Sequence, residues 1–174
     1  MTPTEQSFKY AVFVSYAHID DSDGWVTELI SAIEEEHSRF SPVPLLIFFD
    51  RDEIQTMADW EHRILTGLRD AELMLVVVSP AYFESRYCRK EWEIYLEHEL
   101  DRAFPGEGVA PVYIVKVPSF ETGGGETQLD KWIVNLRQRQ YLDLCDWYGK
   151  GPQALALKKT DLRINPAKPA RPRR

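Results

Sequence analysis

Apolar and polar positions alternate along this chain in blocks rather than residue by residue. The run Tyr10-Ala11-Val12-Phe13-Val14 carries no charge and ends in the polar segment Ser15 to Asp21. A helical spacing follows, with Trp25, Val26, Leu29, Ile30 and Ile33 on one face and Glu34, Glu35 and Glu36 beyond it. Ser41-Pro42-Val43-Pro44 closes that helix. Leu45 to Phe49 is a second uncharged run, closed by Asp50-Arg51-Asp52-Glu53. Trp60, Ile64, Leu65 and Leu68 mark a second amphipathic helix, and Leu73 to Val78 a third strand. Trp92, Tyr95, Leu96 and Ala103 mark a third helix, Val112 to Val117 a fourth strand, and Tyr141 to Leu144 a fifth. Strands that are apolar on both faces and alternate with helices predict an α/β fold, a parallel five-stranded sheet with helices on both faces.

In such a sheet, ligands bind where the carboxyl ends of the strands open into loops. Ser15, Asp50, Ser79 and the segment before Glu91 all lie at those ends. Tyr87-Cys88-Arg89-Lys90-Glu91 follows the third strand and precedes the helical spacing that starts at Trp92. Glu91 is therefore expected in the first turn of a helix, with the aromatic Tyr87 one turn before it. An acid so placed can act on a ligand at the mouth of the sheet. The same position also complements the helix dipole by roughly 0.3 kcal/mol, and many such acids do nothing else.

Three blocks carry a family resemblance. Phe13-Val14-Ser15-Tyr16 resembles the first signature of Toll/interleukin-1 receptor (TIR) domains. Phe48-Phe49-Asp50-Arg51-Asp52-Glu53-Ile54, then Trp60, resembles that family's second strand, its BB loop and the start of the next helix. Val78-Ser79-Pro80-Ala81-Tyr82-Phe83-Glu84-Ser85, then Tyr87 to Glu91, resembles the stretch holding the glutamate of TIR domains that cleave NAD. The match runs from about Lys9 to about Trp147, with strand, loop and helix in the right order around each block. It implies a flavodoxin-like TIR fold over residues 9–157, with 158–174 as a basic, proline-rich tail or linker. The chain departs from the family twice. Gln55-Thr56-Met57-Ala58-Asp59 lacks the usual BB-loop glycine, and a left-handed turn without glycine is costly. Tyr87 stands where tryptophan is common, a mild change because tyrosine still stacks on a flat ring.

Composition is that of one globular unit: 174 residues, 44% hydrophobic and 12% aromatic. No apolar run approaches the ~20 residues of a membrane span. Met1 to Lys9 is polar, unlike a signal peptide. Cys88 and Cys145 form neither a disulfide framework nor a metal spacing. A cytoplasmic protein with no membrane partner is expected. The net charge is −7, but the tail from Lys158 holds seven basic residues and one acid, so the body carries −13. That charge argues against nucleic acid as a ligand of the folded domain. Gly123-Gly124-Gly125 lacks the Gly-Lys-Ser/Thr of a phosphate loop, and no Gly-x-Ser-x-Gly elbow exists. His18, His37, His62 and His98 are scattered, so no metal site is expected. A phosphoacceptor receiver domain fails on order: its aspartate should end the third strand, which here ends in Ser79.

Two function classes remain. The resemblance implies an enzyme, an NAD glycohydrolase or cyclase in bacterial immune signalling, with NAD as substrate and no cofactor. It makes Glu91 the catalytic acid and gives the strand ends, with Ser15, Tyr16, Asp50, Trp60 and Tyr87, substrate-binding roles. Water attack would give ADP-ribose; attack from within the ligand would give a cyclic isomer. It also implies assembly with other TIR domains through the BB loop, with Ile54 and Met57 as its apolar contacts. The second class is a non-enzymatic adaptor that signals by TIR–TIR contact, because fold does not fix function.

Overall fold

The computed structural model describes residues 8–50, 57–99, 108–116 and 128–157. Five strands form one wholly parallel sheet in the order β2-β1-β3-β4-β5. They are β1 (Tyr10–Ser15), β2 (Ile47–Phe48), β3 (Ala71–Val78), β4 (Val109–Tyr113) and β5 (Leu142–Asp143). The helices are α1 (Trp25–Phe40), α2 (Met57–Asp70), α3 (Pro80–Glu84), α4 (Arg86–Glu99), α5 (Gln128–Arg137), α6 (Cys145–Tyr148) and α7 (Gln153–Leu157). A 3-10 turn, His18–Asp21, follows β1. The expected parallel five-stranded sheet, covered on both faces, is the observed one.

The strand residues explain the two layers. Phe13 of β1 and Met74, Val76 and Val78 of β3 join Ile64 and Leu68 of α2, Trp92 and Tyr95 of α4, and Trp132, Ile133 and Leu136 of α5. Their neighbours Val14 and Val77 point to the other face, onto Trp25, Val26, Leu29 and Ile30 of α1 and Leu155 of α7. Alternate residues of one strand thus bury in opposite layers, which is why the strands read as unbroken apolar runs.

The start of α1 shows how local sequence sets the loop after β1. Gly24 sits at φ 82°, a left-handed conformation suited to glycine. Asp23 accepts from the Trp25 amide at 3.1 Å, and Asp21 accepts from the Thr27 amide at 2.8 Å and its hydroxyl at 2.7 Å. These bonds satisfy donors that the first helical turn leaves open.

Several bounds differ from the periodicity. The β2 ladder is two residues long, because β2 is an edge strand paired on one side. β4 begins at Val109 and ends at Tyr113, earlier than Val112 to Val117, and α5 was not predicted from the spacing. The largest difference is at α4. It starts at Arg86, not near Trp92, because Ser85 caps it: the Ser85 hydroxyl accepts from the Cys88 amide at 3.2 Å, and its carbonyl accepts from the Arg89 amide at 3.1 Å.

Candidate functional site at the sheet mouth

The β1–α1–β2 crossover packs α1 on one face, and the β2–α2–β3 crossover packs α2 on the other. The chain therefore reverses direction across the sheet between β1 and β3, and a crevice opens at their carboxyl ends. A cavity of about 600 Å³ lies there, within the usual size range of small-molecule sites. Tyr16, Ala17, His18 and Ile19 form its wall from the first loop, Asp50 and Ile64 another, and Tyr87, Cys88 and Glu91 of α4 a third.

Glu91 is the acid of this cavity. The early start of α4 places it in the second helical turn, not the first, so the expected first-turn position is corrected. Dipole complementation is therefore no sufficient reason for an acid here, since that effect fades beyond the first turn. The side chain turns inward and is only 8% exposed. The Ser15 hydroxyl donates to its Oε2 at 2.6 Å. Burial drives the Glu91 carboxyl up to about 8; the Ser15 bond pulls it down, and the charge of Asp50 pushes it up further. With no positive charge beside it, Glu91 is thus mostly protonated at pH 7. A buried carboxyl so far from its ordinary range, facing a cavity, is a marker of a functional site.

The other expected residues fall into different places. Tyr16 lines the cavity, its hydroxyl donating to the Asp50 carbonyl at 2.7 Å, which ties the end of β1 to the end of β2. Asp50 lines the cavity too, and Arg63 of α2 donates to its carboxylate at 2.9 Å. Tyr87 stands on the rim, 37% exposed, one turn before Glu91, with the Arg86 guanidinium 5.2 Å from its ring centre. Ser15 is the exception: it is fully buried behind Glu91, holds that acid, and is absent from the cavity wall. Trp60 belongs to α2, but its side chain, like that of Met57, lies outside the described residues, as does all of Ile54.

The contacts of three further residues were not legible in the motifs. Ser79 caps α3 by accepting from the Tyr82 amide at 3.1 Å, and donates to the buried Asp20 at 2.5 Å, which fixes the 3-10 turn against β3. Tyr82 is fully buried with its hydroxyl 3.2 Å from Ser15 Oγ. Cys88 is buried, and its thiol is raised well above the ordinary range by burial first and then by Glu91, so it is no nucleophile at neutral pH. Among the described residues, no group of three His, Cys, Asp or Glu could hold a metal ion.

A family model described as TIR domain matches residues 12–157. The chain belongs to the TIR domain family. Solved structures share this TIR fold. The TIR domains of the activated Roq1 resistosome, which recognises the pathogen effector XopQ, superpose with a TM-score of 0.53 at 18% identity, covering 88% of this chain and 99% of that one. A metazoan TIR-STING receptor from C. gigas, solved with 2′,3′-cGAMP, gives 0.50 at 16%, covering 87% of this chain and 41% of its own. The TIR domain of the Toll-related receptor TRR-2 of Hydra magnipapillata gives 0.48 at 20%, covering 87% and 99%. No curated protein matches the chain. No described helix of this TIR domain is long and apolar enough to cross a membrane.

Proposed function

We propose that this TIR domain cleaves the nicotinamide–ribose bond of NAD, with Glu91 as the acid that acts on the ribose. One observation carries the reading: a buried carboxyl, held by Ser15, faces a cavity at the switch point of the sheet. Among the described residues the walls contain Asp50, Glu84 and Glu91 and no lysine or arginine, which suits a cationic pyridinium ring. That positive charge, brought beside Glu91, favours its ionised form and lowers the pH at which it ionises. The C1′–N bond then breaks with its electron pair passing to the nicotinamide nitrogen, so nicotinamide leaves neutral and needs no second acid. The oxocarbenium-like ribose is stabilised by the Glu91 carboxylate. Water addition at C1′ gives ADP-ribose and releases one proton. Addition of a nucleophile from within the ligand gives a cyclic isomer and also releases a proton. Tyr87 at the rim is placed to stack on the departing ring.

We take a second TIR domain as the partner that completes this cavity, through the segment between Asp50 and α2. Head-to-tail contacts of this kind close into rings or, where the rotation does not close, propagate into filaments. The similar TIR domains of Roq1 were solved in an activated resistosome. The test is incubation of purified protein at high concentration with NAD and measurement of free nicotinamide. Nicotinamide release above the no-protein control supports the enzyme. No release at any concentration overturns it and leaves a TIR adaptor that works by assembly alone.

A further inference from the structure

Beyond its cavity-facing groups, the site contains a buried hydroxyl that the chemistry above does not use, that of Tyr82. Tyr82 is fully buried between the β-sheet and α5, its ring against Phe83 and Trp132 at centroid distances of 5.7 and 5.1 Å. Its hydroxyl partner among the described residues is Ser15 Oγ, 3.2 Å away. Ser15 has one hydroxyl hydrogen, and it is directed at Glu91 Oε2 at 2.6 Å. When Glu91 is a carboxylate it can only accept, so Ser15 must donate to it and Tyr82 must donate to Ser15. When Glu91 is protonated, both hydroxyls are free to reverse.

We infer that Tyr82 is a positioning residue for the acid: its buried hydroxyl orients Ser15 so that Ser15 donates to Glu91. The three side chains, from α3, β1 and α4, form a relay of hydroxyls whose direction follows the charge of Glu91. The inference rests on the role of Glu91 proposed above only for its consequence in catalysis; the relay itself rests on the geometry. The groups that face Glu91 from the surrounding elements are Asp50 past β2, with Arg63 of α2 on it, Cys88 on α4 itself and Tyr82 on α3. Asp20 of the 3-10 turn acts on Cys88, and His18 and Glu84 lie on the cavity wall. None of these except Tyr82 is bonded to Ser15.

Carbon-13 NMR of the full chain tests the relay without requiring activity. The Glu91 carboxyl signal is assigned by its loss in Glu91→Gln, and the Tyr82 ring carbon bearing the hydroxyl by its loss in Tyr82→Phe. In the wild type the Tyr82 signal should titrate with the same midpoint as the Glu91 carboxyl. In Ser15→Ala the Tyr82 response should disappear, and the Glu91 midpoint should rise by about one pH unit, the loss of one hydrogen bond to a charged group. Tyr82→Phe should raise the midpoint by about half that, and should add nothing when Ser15 is already alanine. A Tyr82 signal that stays flat across the Glu91 titration overturns the relay, as does a response that survives Ser15→Ala. A Tyr82→Phe shift of equal size with and without Ser15 does so too. If the midpoints move as stated but no variant or wild type releases nicotinamide, the relay stands and the NAD reading falls.

Discussion

Replacing Glu91 by glutamine should make the domain more stable and inactive at once. Glu91 is a carboxyl whose folded value, about 8, lies above its ordinary 4.5. The folded chain therefore holds the proton more tightly than the unfolded chain, and stability falls as pH rises from 4.5 towards 8. At pH 7 about two and a half pH units of this range have been crossed, at about 1.36 kcal/mol each, so the cost is up to roughly 3 kcal/mol. Glutamine has nearly the same volume and never ionises. It keeps an oxygen that accepts from Ser15, while its new amide donors enter a carboxyl-shaped site at a cost of about 1 kcal/mol. The net gain for Glu91→Gln at pH 7 is then about 2 kcal/mol, or about 4–8 °C in Tm for a domain of this size. Below pH 4.5 both folded and unfolded wild type are protonated there, and the gain should vanish or reverse slightly. Urea melts of both proteins at pH 4.5, 6 and 8 read the difference directly. A stability gap that is constant across these values would refute the reasoning, because it would mean that Glu91 ionises alike in the folded and unfolded chain.

Further outcomes follow from the same geometry. Tyr87→Ala should lower NAD turnover several-fold while Tyr87→Trp stays near wild type, since stacking tolerates the larger ring; equal rates for Tyr87→Ala and wild type in a folded protein would remove Tyr87 from the site. Specific activity should rise with protein concentration and with salt, which screens the acidic body over about 8 Å at physiological strength; a value that stays constant over a hundredfold dilution, measured by nicotinamide release, would show that one chain completes its own pocket. Met57→Asp should block activity in solution and leave the melting curve unchanged, which size-exclusion and thermal melts together decide. Gly67→Ala should destabilise by about 1–3 kcal/mol despite the better helix propensity of alanine, because the new Cβ would stand 2.9 Å from the Phe48 ring that packs under α2; a more stable variant in urea melts would contradict that packing.

The strands and the sheet were legible because burial on both faces leaves a pattern that few other structures share. Phe13 and Val14 go to opposite layers, so neither can be polar, and the same holds for Val76 and Val77. The start of α4 was not legible in this way. Arg86 to Lys90 holds three basic residues and a single core side chain, Cys88, and the Ser85 cap marks where the helix begins. That shift carried Glu91 from a first turn to a second, where its side chain is buried. Asp50, Tyr16 and Tyr87 reached the cavity as their strand ends and spacing implied. Ser15 did not, because it is still in β1, covered like the rest of that strand, and its hydroxyl met Glu91 76 residues away instead of a ligand. The Tyr82 hydroxyl had no local sign at all: its partner is 67 residues away, and from sequence its ring reads as core. Where a side chain bonds to another element, periodicity is silent.

The most direct measurement sets Glu91→Gln beside Glu93→Gln, at high protein concentration, with NAD, reading nicotinamide over time. Glu93 is two residues away on the same helix, exposed and paired with Arg89 at 3.0 Å, so its loss should leave turnover near wild type. Glu91→Gln should lose about 10²–10³ in rate while remaining folded. Wild-type turnover in Glu91→Gln, or equal loss in both variants, would contradict the claim that this buried carboxyl is the acting group.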